Sequence, residues 1–586
     1  MDSKTQRDER LVKIKSLIKE KDLFGYIVPS WDEHQSGECS SDAKRLEYIT
    51  GFSGSNGIAI ITLDQILFIT DGRYLVQSTI ELQGTKHLIL DQSKNNDYQK
   101  YLPSNSLIGY DARLFTKNQL SFFKSLNLVK ISQNLVDKIW FDRSKKSYPK
   151  VFAYSASYSG AFPREKIKIC IDFIDRNKAD YLLITDPITI NWILNVRGLD
   201  LDYTPIVFSL AIVNREKLSL FVRDAKNIEN FKEWCGLVEV FDYEDFEAFL
   251  SNLKTSRVII DAKSCAIYLS DLLLINNEII EATNPCELAK ACKNEIEIAG
   301  TKSVHVLDAV ALCEAFAYLT DVYSRNSTLL SEHDVATILS KHRKNNKNYI
   351  CESFGAICGM RENGAIIHYR PCEKRSKLLS DGIILIDSGG HYLGGTTDVT
   401  RNLVLGNSVT QEQKIRYTQV LKGHIALALA HFPKGTSGKH LDILARQFLR
   451  LDGLDYAHGT GHGVGNCLSV HEGPQNISPL GSISLEIGMI VSNEPGYYKE
   501  GEYGMRIENL CYVKQSNLSE DFLCFEQLTL IPYCAALIEF SMLYAKEILF
   551  LKEYYAKITS LVLPLLSAKA KSWCIKEIDF VLKQFE

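Results

Sequence analysis

The period of the apolar positions changes along the chain in an order that repeats. ERLVKIKSLIKEKDL (9–23) spaces its apolar residues as one face of an amphipathic helix. A strand pattern, GYIVPS, follows, then the aromatic-and-glycine piece RLEYITGFSG and the strands GIAIIT and ILFIT. The same succession returns later: helix REKIKICIDFIDRNK, strand DYLLIT, the piece INWILNVRGLD, and strands FSLAIV and LSLFV. Repetition at this scale predicts two similar α/β domains. NLVDKIWFDR closes the first segment, and KKSYPKVFAYSASYSG (145–160) reads as a linker.

Near residue 290 the period lengthens into a long helix. Val306, Val310, Cys313 and Ala317 recur at helical spacing within VHVLDAVALCEAFAYL. Beyond it, glycine-rich turns separate β-type runs: IILID, NLVLG, MIVSN and LCYVK. Helical stretches such as QKIRYTQVLKGHIALALAHF lie between them. This part predicts an α+β domain whose strands return through hairpins rather than regular crossovers. The tail from about 535 is again helical by pattern. The expected division is therefore 1–150, 151–289 and 290–586, and a chain of 586 residues is long enough for three domains.

Composition narrows the function classes. Apolar residues make up 45% and charged residues 24%, as in soluble globular proteins. The net charge of −4 gives no nucleic-acid footprint and no polybasic membrane surface. KHRKNNKN (341–348) is the densest basic run, and without interleaved aromatics it reads as a solvated loop. The opening MDSKTQRDERLVKIK has no apolar signal region, and ITSLVLPLLSA (558–568) is too short to span a bilayer. A cytoplasmic protein with no membrane partner is expected. The fifteen cysteines are scattered and contain no CxxC pair, so reduced, mostly buried thiols are expected. Under that expectation the sequon at Asn326 carries no glycan.

The chemistry concentrates in the last third. Asp387 (IILIDSGG), Asp398 (GGTTDVTR), His462 (HGTGHGVG), Glu494 (SNEPGYY) and Glu508 (MRIENL) supply four carboxylates and one imidazole. Such a set can hold two divalent cations close together around a shared water, the equipment of a metallohydrolase. Two strands joined through HYLGG would bring Asp387 and Asp398 side by side, where they resist ionisation unless a cation lies between them. Alone, that hairpin would be a turn aspartate and a surface aspartate. HGTGHGVG is not an HExxH zinc helix, because glycines interrupt it and no Glu follows the first His. His458 and His462 are therefore expected to take different roles, with His471 (SVHEGP) close to them. Mostly oxygen donors with one imidazole favour Mn²⁺-like ions. Glu494 is read before a proline-glycine turn and Glu508 within a strand.

These motifs resemble the manganese-dependent Xaa-Pro aminopeptidases (aminopeptidase P) of the long three-domain cytosolic type. The shared strings are NGAIIHY, LIDSG, GTTDVTR, VLKGHIA, AHGTGHGVG, VHEGP, EPGYY and RIEN, with GFSGSNG, TDGRY, NLVDKIW and NVRG outside the catalytic part. The resemblance implies two creatinase-like N-terminal α/β domains followed by a C-terminal pita-bread catalytic domain. It implies Asp387 on one metal, His462 and Glu494 on the other, and Asp398 and Glu508 bridging both. His368, His458 and His471 match substrate-side histidines, Arg506 an arginine supporting the ligand carboxylates, and Arg73 an N-terminal arginine that contacts peptide. The implied reaction is attack by a metal-bridging hydroxide on the first carbonyl of a short peptide with proline second, with Glu494 as proton carrier. A homodimer is implied as well.

Asn493 stands where the family has an acidic residue, Tyr318-Leu319 replaces a tryptophan-leucine pair, and GMRENGAIIHY departs from the usual loop. Competing expectations are a prolidase-type dipeptidase with the same ligands and a catalytically inactive binding protein on the same fold.

Overall fold

The computed structural model describes residues 4–94, 97–144, 151–223, 234, 236–325 and 329–586. Asn326 and the first part of the expected linker, 145–150, lie outside the described residues. One compact unit comprises Met1–Ala153, Ala161–Leu201 and Ile206–Glu287, and the other Tyr154–Gly160, Asp202–Pro205 and Leu288–Glu586.

Two six-stranded sheets in the first unit share one plan. In the first sheet Gly25–Pro29 pairs antiparallel with Ile58–Thr62 and parallel with Leu107–Tyr110. The antiparallel arm continues through Ile66–Thr70 to His87–Asp91, and the parallel arm ends at Asn127–Lys130. In the second sheet Tyr181–Ile184 takes the central place, with Ser209–Val213, Leu218–Val222 and Val238–Asp242 on one side and Arg257–Ile260 and Glu278–Glu281 on the other. The parallel and antiparallel steps match strand for strand. The repeat seen in element order thus extends to topology. Gly25–Pro29 and Ser209–Val213 are buried at every position, which is why they read as continuous apolar runs. Helix Pro163–Arg176 buries Ile167, Cys170 and Ile174, a three-and-four spacing that gives one inward stripe.

In the second unit the helix Glu295–Ser324 begins at Asn294, whose side chain accepts from the Ile296 and Glu297 amides while Glu297 reaches back. This capping box contributes about 1 kcal/mol. Leu312, Cys313, Phe316 and Leu319 are buried in a core shared with the helices Gln411–Ala428, Ala545–Leu561 and Ala568–Leu582. Val306 and Val310 pack on the same core. By length and composition this helix could cross a membrane, but 61% of its most apolar window is buried within the fold, as in a core helix. The antiparallel strands Ile357–Met360, Gly382–Ser388 and Val399–Leu405 add Ile383, Ile384, Ile386 and Leu403 to that core. A second antiparallel sheet runs His431–Pro433, Phe522–Gln527, Asn509–Gln515 and Ile490–Asn493. The described cysteines are free thiols, most of them buried.

Four local expectations need correction. KHRKNNKN, expected as a solvated loop, begins as the last turn of the helix Glu332–Lys344, and Arg343 is buried there against Asp308. The helical stretch expected to reach Phe432 stops at Ala428, because His431–Pro433 pairs with Phe522–Gln527 instead. Glu508 lies in a two-residue break between Tyr503–Arg506 and Asn509–Gln515, not inside a strand. Glu494 and Pro495 likewise interrupt two strands, Ile490–Asn493 and Gly496–Lys499, rather than preceding a turn.

Candidate metal centre

Asp387 is next to last in its strand, and Thr400 lies directly across the sheet from it. Asp398 precedes the partner strand by one residue. The alternation of strand side chains therefore puts Asp387, Asp398 and Thr400 on one face. Glu494 is fixed by its amide on the Thr460 carbonyl at 2.8 Å, and Glu508 by its amide on the Thr400 carbonyl at 3.2 Å. The pairs Asn493 with Asn509 and Gly496 with Arg506 keep one register across the breaks, so Glu494 and Glu508 stand opposite each other on one side.

The glycine loop brings in the imidazole. A Cβ on Gly461 would lie 1.9 Å from the Ser492 carbonyl oxygen, and one on Gly463 2.0 Å from that of Glu472. Only glycine allows this backbone approach. As a result the His462 amide donates to Ser492 Oγ (2.9 Å), which donates to Glu494 Oε1 (3.0 Å). His462 Nε2 stands 3.5 Å from both Asp398 Oδ2 and Glu494 Oε1. Ligand atoms of Asp398, His462 and Glu508 lie within 4.8 Å of one another.

The electrostatics of this cluster call for cations. His462 Nδ1 lies 3.0 Å from the Gly463 carbonyl, which can only accept, so Nδ1 carries a proton and Nε2 is the ring atom turned toward the carboxylates. Asp387 Oδ1 and Asp398 Oδ1 are buried with no hydrogen-bond partner. Burial, with the charges of Asp387 and Glu494, pushes the Asp398 carboxyl well above the usual range. Burial and the neighbouring Asp398, Glu494 and Asp387 do the same to Glu508. Burial also raises Glu494, opposed by His462 and Arg506. Acceptors that face acceptors in a buried place fit divalent metal ions, which would lower each of these carboxyls again.

A polar frame surrounds the cluster. Arg506 donates to Asp387 Oδ2 and, at 3.0 Å, to Thr400 Oγ1, which in turn donates to Glu508 Oε2 at 2.7 Å. Burial opposes the guanidinium charge, but Tyr498, Asp387, Glu494 and Glu508 hold its pKa well above the usual value. Arg506 also donates to the Tyr498 hydroxyl (2.7 Å), which lies 2.8 Å from His458 Nε2. His458 Nδ1 stands 4.0 Å from Glu494 Oε2. The His471 ring centroid is 4.3 Å from that of His462. The structure thus brings together the five ligand candidates with Arg506, His458 and His471. His368 sits half-buried in the turn after the 3₁₀ segment Arg361–Ala365. Arg73 belongs to the other unit, where Asp71 binds its guanidinium at 2.9 and 2.7 Å. Sequence reasoning missed Tyr498, Thr400 and Ser492. Tyr498 stands in the EPGYY string, but only its contacts with Arg506 and His458 reveal a role.

Residues 296–515 match metallopeptidase family M24, and 521–579 match the C-terminal region of peptidase M24. Residues 10–139 and 142–297 match creatinase/prolidase N-terminal domains. Xaa-Pro aminopeptidase 1 of Dictyostelium discoideum is 37% identical, with 97% of this chain and 96% of that protein covered. The chain belongs to the Xaa-Pro aminopeptidases of metallopeptidase family M24. A probable Xaa-Pro aminopeptidase P of Laccaria bicolor is 36% identical, covering 97% of this chain and 93% of its own length. Among solved structures, X-prolyl aminopeptidase of Caenorhabditis elegans, described as a cytosolic enzyme with a di-nuclear active site, superposes with a TM-score of 0.91. It is 29% identical and is covered over 99% of its chain, with 98% of this one. The family resemblance, the fold class and the expectation of a metallo-aminopeptidase are borne out.

Proposed function

We propose that this protein releases the N-terminal residue from short peptides whose second residue is proline, with two divalent cations, Mn²⁺ foremost, held by Asp387, Asp398, His462, Glu494 and Glu508. The observation that carries the proposal is the buried acceptor cluster formed by those side chains. Those five side chains would hold the cations between them. Bound there, the cations supply an acidified water and polarise the scissile carbonyl.

The chain's own groups do the rest. Arg506 fixes the Asp387 carboxylate, and Ser492 ties Glu494 to the His462 backbone. Glu494 carries a proton on its carboxylate to the departing nitrogen. That nitrogen is proline's tertiary amide, which has no N–H and becomes a leaving group only when protonated. His458, oriented by Tyr498, and His471, against His462, serve the substrate side together with His368. Arg73 is a candidate peptide contact. The domain division at 150 and 289, a homodimer and a cytoplasmic location belong to the same proposal, and the cytosolic C. elegans relative supports the last.

The specificity test compares Arg-Pro-Pro with Gly-Pro under identical metal loading. Release of arginine from the tripeptide supports an aminopeptidase. Turnover of the dipeptide alone would assign a prolidase-type activity instead.

A further inference from the structure

His368 lies in the connection 361–381 between Ile357–Met360 and the Asp387 strand Gly382–Ser388. Connections this long without a sheet of their own need a specific reason to stay in place. At its start, a Cβ on Gly504 would lie 1.8 Å from the Gly364 carbonyl oxygen, so the connection presses on the strand Tyr503–Arg506, which carries Arg506. Both of its arms also converge on one carboxylate, Glu332, the first residue of the helix Glu332–Lys344.

Glu332 is completely buried. Its Oε1 accepts from the Met360 amide (2.8 Å) and the Asn363 side-chain amide (2.8 Å). Its Oε2 accepts from the same Asn363 group (3.1 Å), the Tyr369 hydroxyl (2.7 Å) and the Lys377 amide (2.8 Å). The Glu332 amide answers by donating to the Lys377 carbonyl at 2.9 Å. All four lone-pair directions of the carboxylate are used, and the charge sits at the positive end of its helix. Donors before His368 (Met360, Asn363) and after it (Tyr369, Lys377) meet on this one group.

We propose that Glu332 is the positioning residue for His368, holding both arms of its connection so that the imidazole keeps one place. The proposal rests on His368 being a substrate-side histidine. Glu332→Gln keeps the volume but turns an NH₂ toward groups that donate, and the Lys377 amide cannot reverse its role. Tyr369→Phe is the milder variant, removing only the hydroxyl next to His368.

The test is a double-mutant cycle on kcat/KM for Arg-Pro-Pro, with Mn²⁺ affinity and thermal unfolding measured on each variant. A misplacement of about 1 Å can cost roughly a hundredfold, so Glu332→Gln is expected to lose about 10- to 100-fold and Tyr369→Phe about 3- to 10-fold. Mn²⁺ affinity is expected to stay within about threefold. In a His368→Ala background either change should cost less than about threefold, because the group being positioned is gone. Losses that multiply undiminished in that background overturn the positioning role while leaving His368 a substrate-side residue. Full activity in His368→Ala alone overturns both. Should Glu332→Gln fail to fold, the Tyr369→Phe cycle decides by the same criterion.

Discussion

Asp398 is buried against Asp387 and Glu494, so its side chain is a burden to the metal-free protein as well as a proposed ligand. Asp398→Ala is expected to lower peptide turnover by more than about a thousandfold and to abolish the rise in melting temperature on adding Mn²⁺. The metal-stripped variant should melt no lower than the metal-stripped parent, since a repulsive charge has gone. Retention of the Mn²⁺-induced rise, read by thermal unfolding with and without the ion, would remove Asp398 from the ligand set. His424 behaves in the opposite sense. It is fully buried, with Nδ1 on the Asn493 carbonyl at 3.0 Å and Nε2 3.2 Å from the Tyr533 hydroxyl. Burial, helped by the Arg401 charge, lowers its pKa from 6.5 to about 3. The unfolded chain therefore takes up a proton that the folded one refuses, and stability is lost as pH falls from about 6.5 toward 3. His424→Gln lacks that term, so its deficit in melting temperature relative to the parent should shrink between pH 7.5 and pH 5. An unchanged deficit would contradict the buried neutral state. At this scale the residues of the acceptor cluster were legible because each stands in a distinctive string, LIDSG or AHGTGHGVG among them. Thr400, Ser492 and Tyr498 were not, because their roles consist of contacts between distant segments.

Among the elements, the C-terminal extension is tied to the metal centre by Arg401, a buried guanidinium in the Asp398 strand. It donates to the Thr400 and Glu508 carbonyls at 2.9 and 2.6 Å, to those of Ile531 and Pro532 at 2.9 and 3.1 Å, and to Tyr554 of the helix Ala545–Leu561 at 3.0 Å. It also lies over the Tyr533 ring at 4.7 Å. The tail thus helps hold Glu508, which sits in a break and lacks the ladder bonds of a strand. Arg401→Met would strand several buried carbonyls without donors. A loss of more than about 3 kcal/mol is expected in urea unfolding, whereas a loss below about 1 kcal/mol would show the tail to be independent of the centre. The long helix was legible from its apolar period. The end of Gln411–Ala428 was not: ALALAHF continues the helical composition, and only pairing of His431 with Cys524 stops it.

For the whole molecule, the doubled pattern of helix and strands was enough to foresee two related sheets, because central strands buried on both faces leave long apolar runs. The catalytic unit was less legible. Its short strands are interrupted at Glu494 and Glu508, so both candidate ligands stand outside the strand pattern. The central claim is that this buried acceptor cluster becomes an Xaa-Pro aminopeptidase when divalent cations fill it. The most direct measurement titrates Mn²⁺ into metal-stripped protein while Arg-Pro-Pro products are identified by mass spectrometry. The account predicts no turnover at zero metal and release of arginine and Pro-Pro that saturates near two equivalents per chain. Arginine release that ignores the metal, or metal uptake with no cleavage before proline, would contradict it.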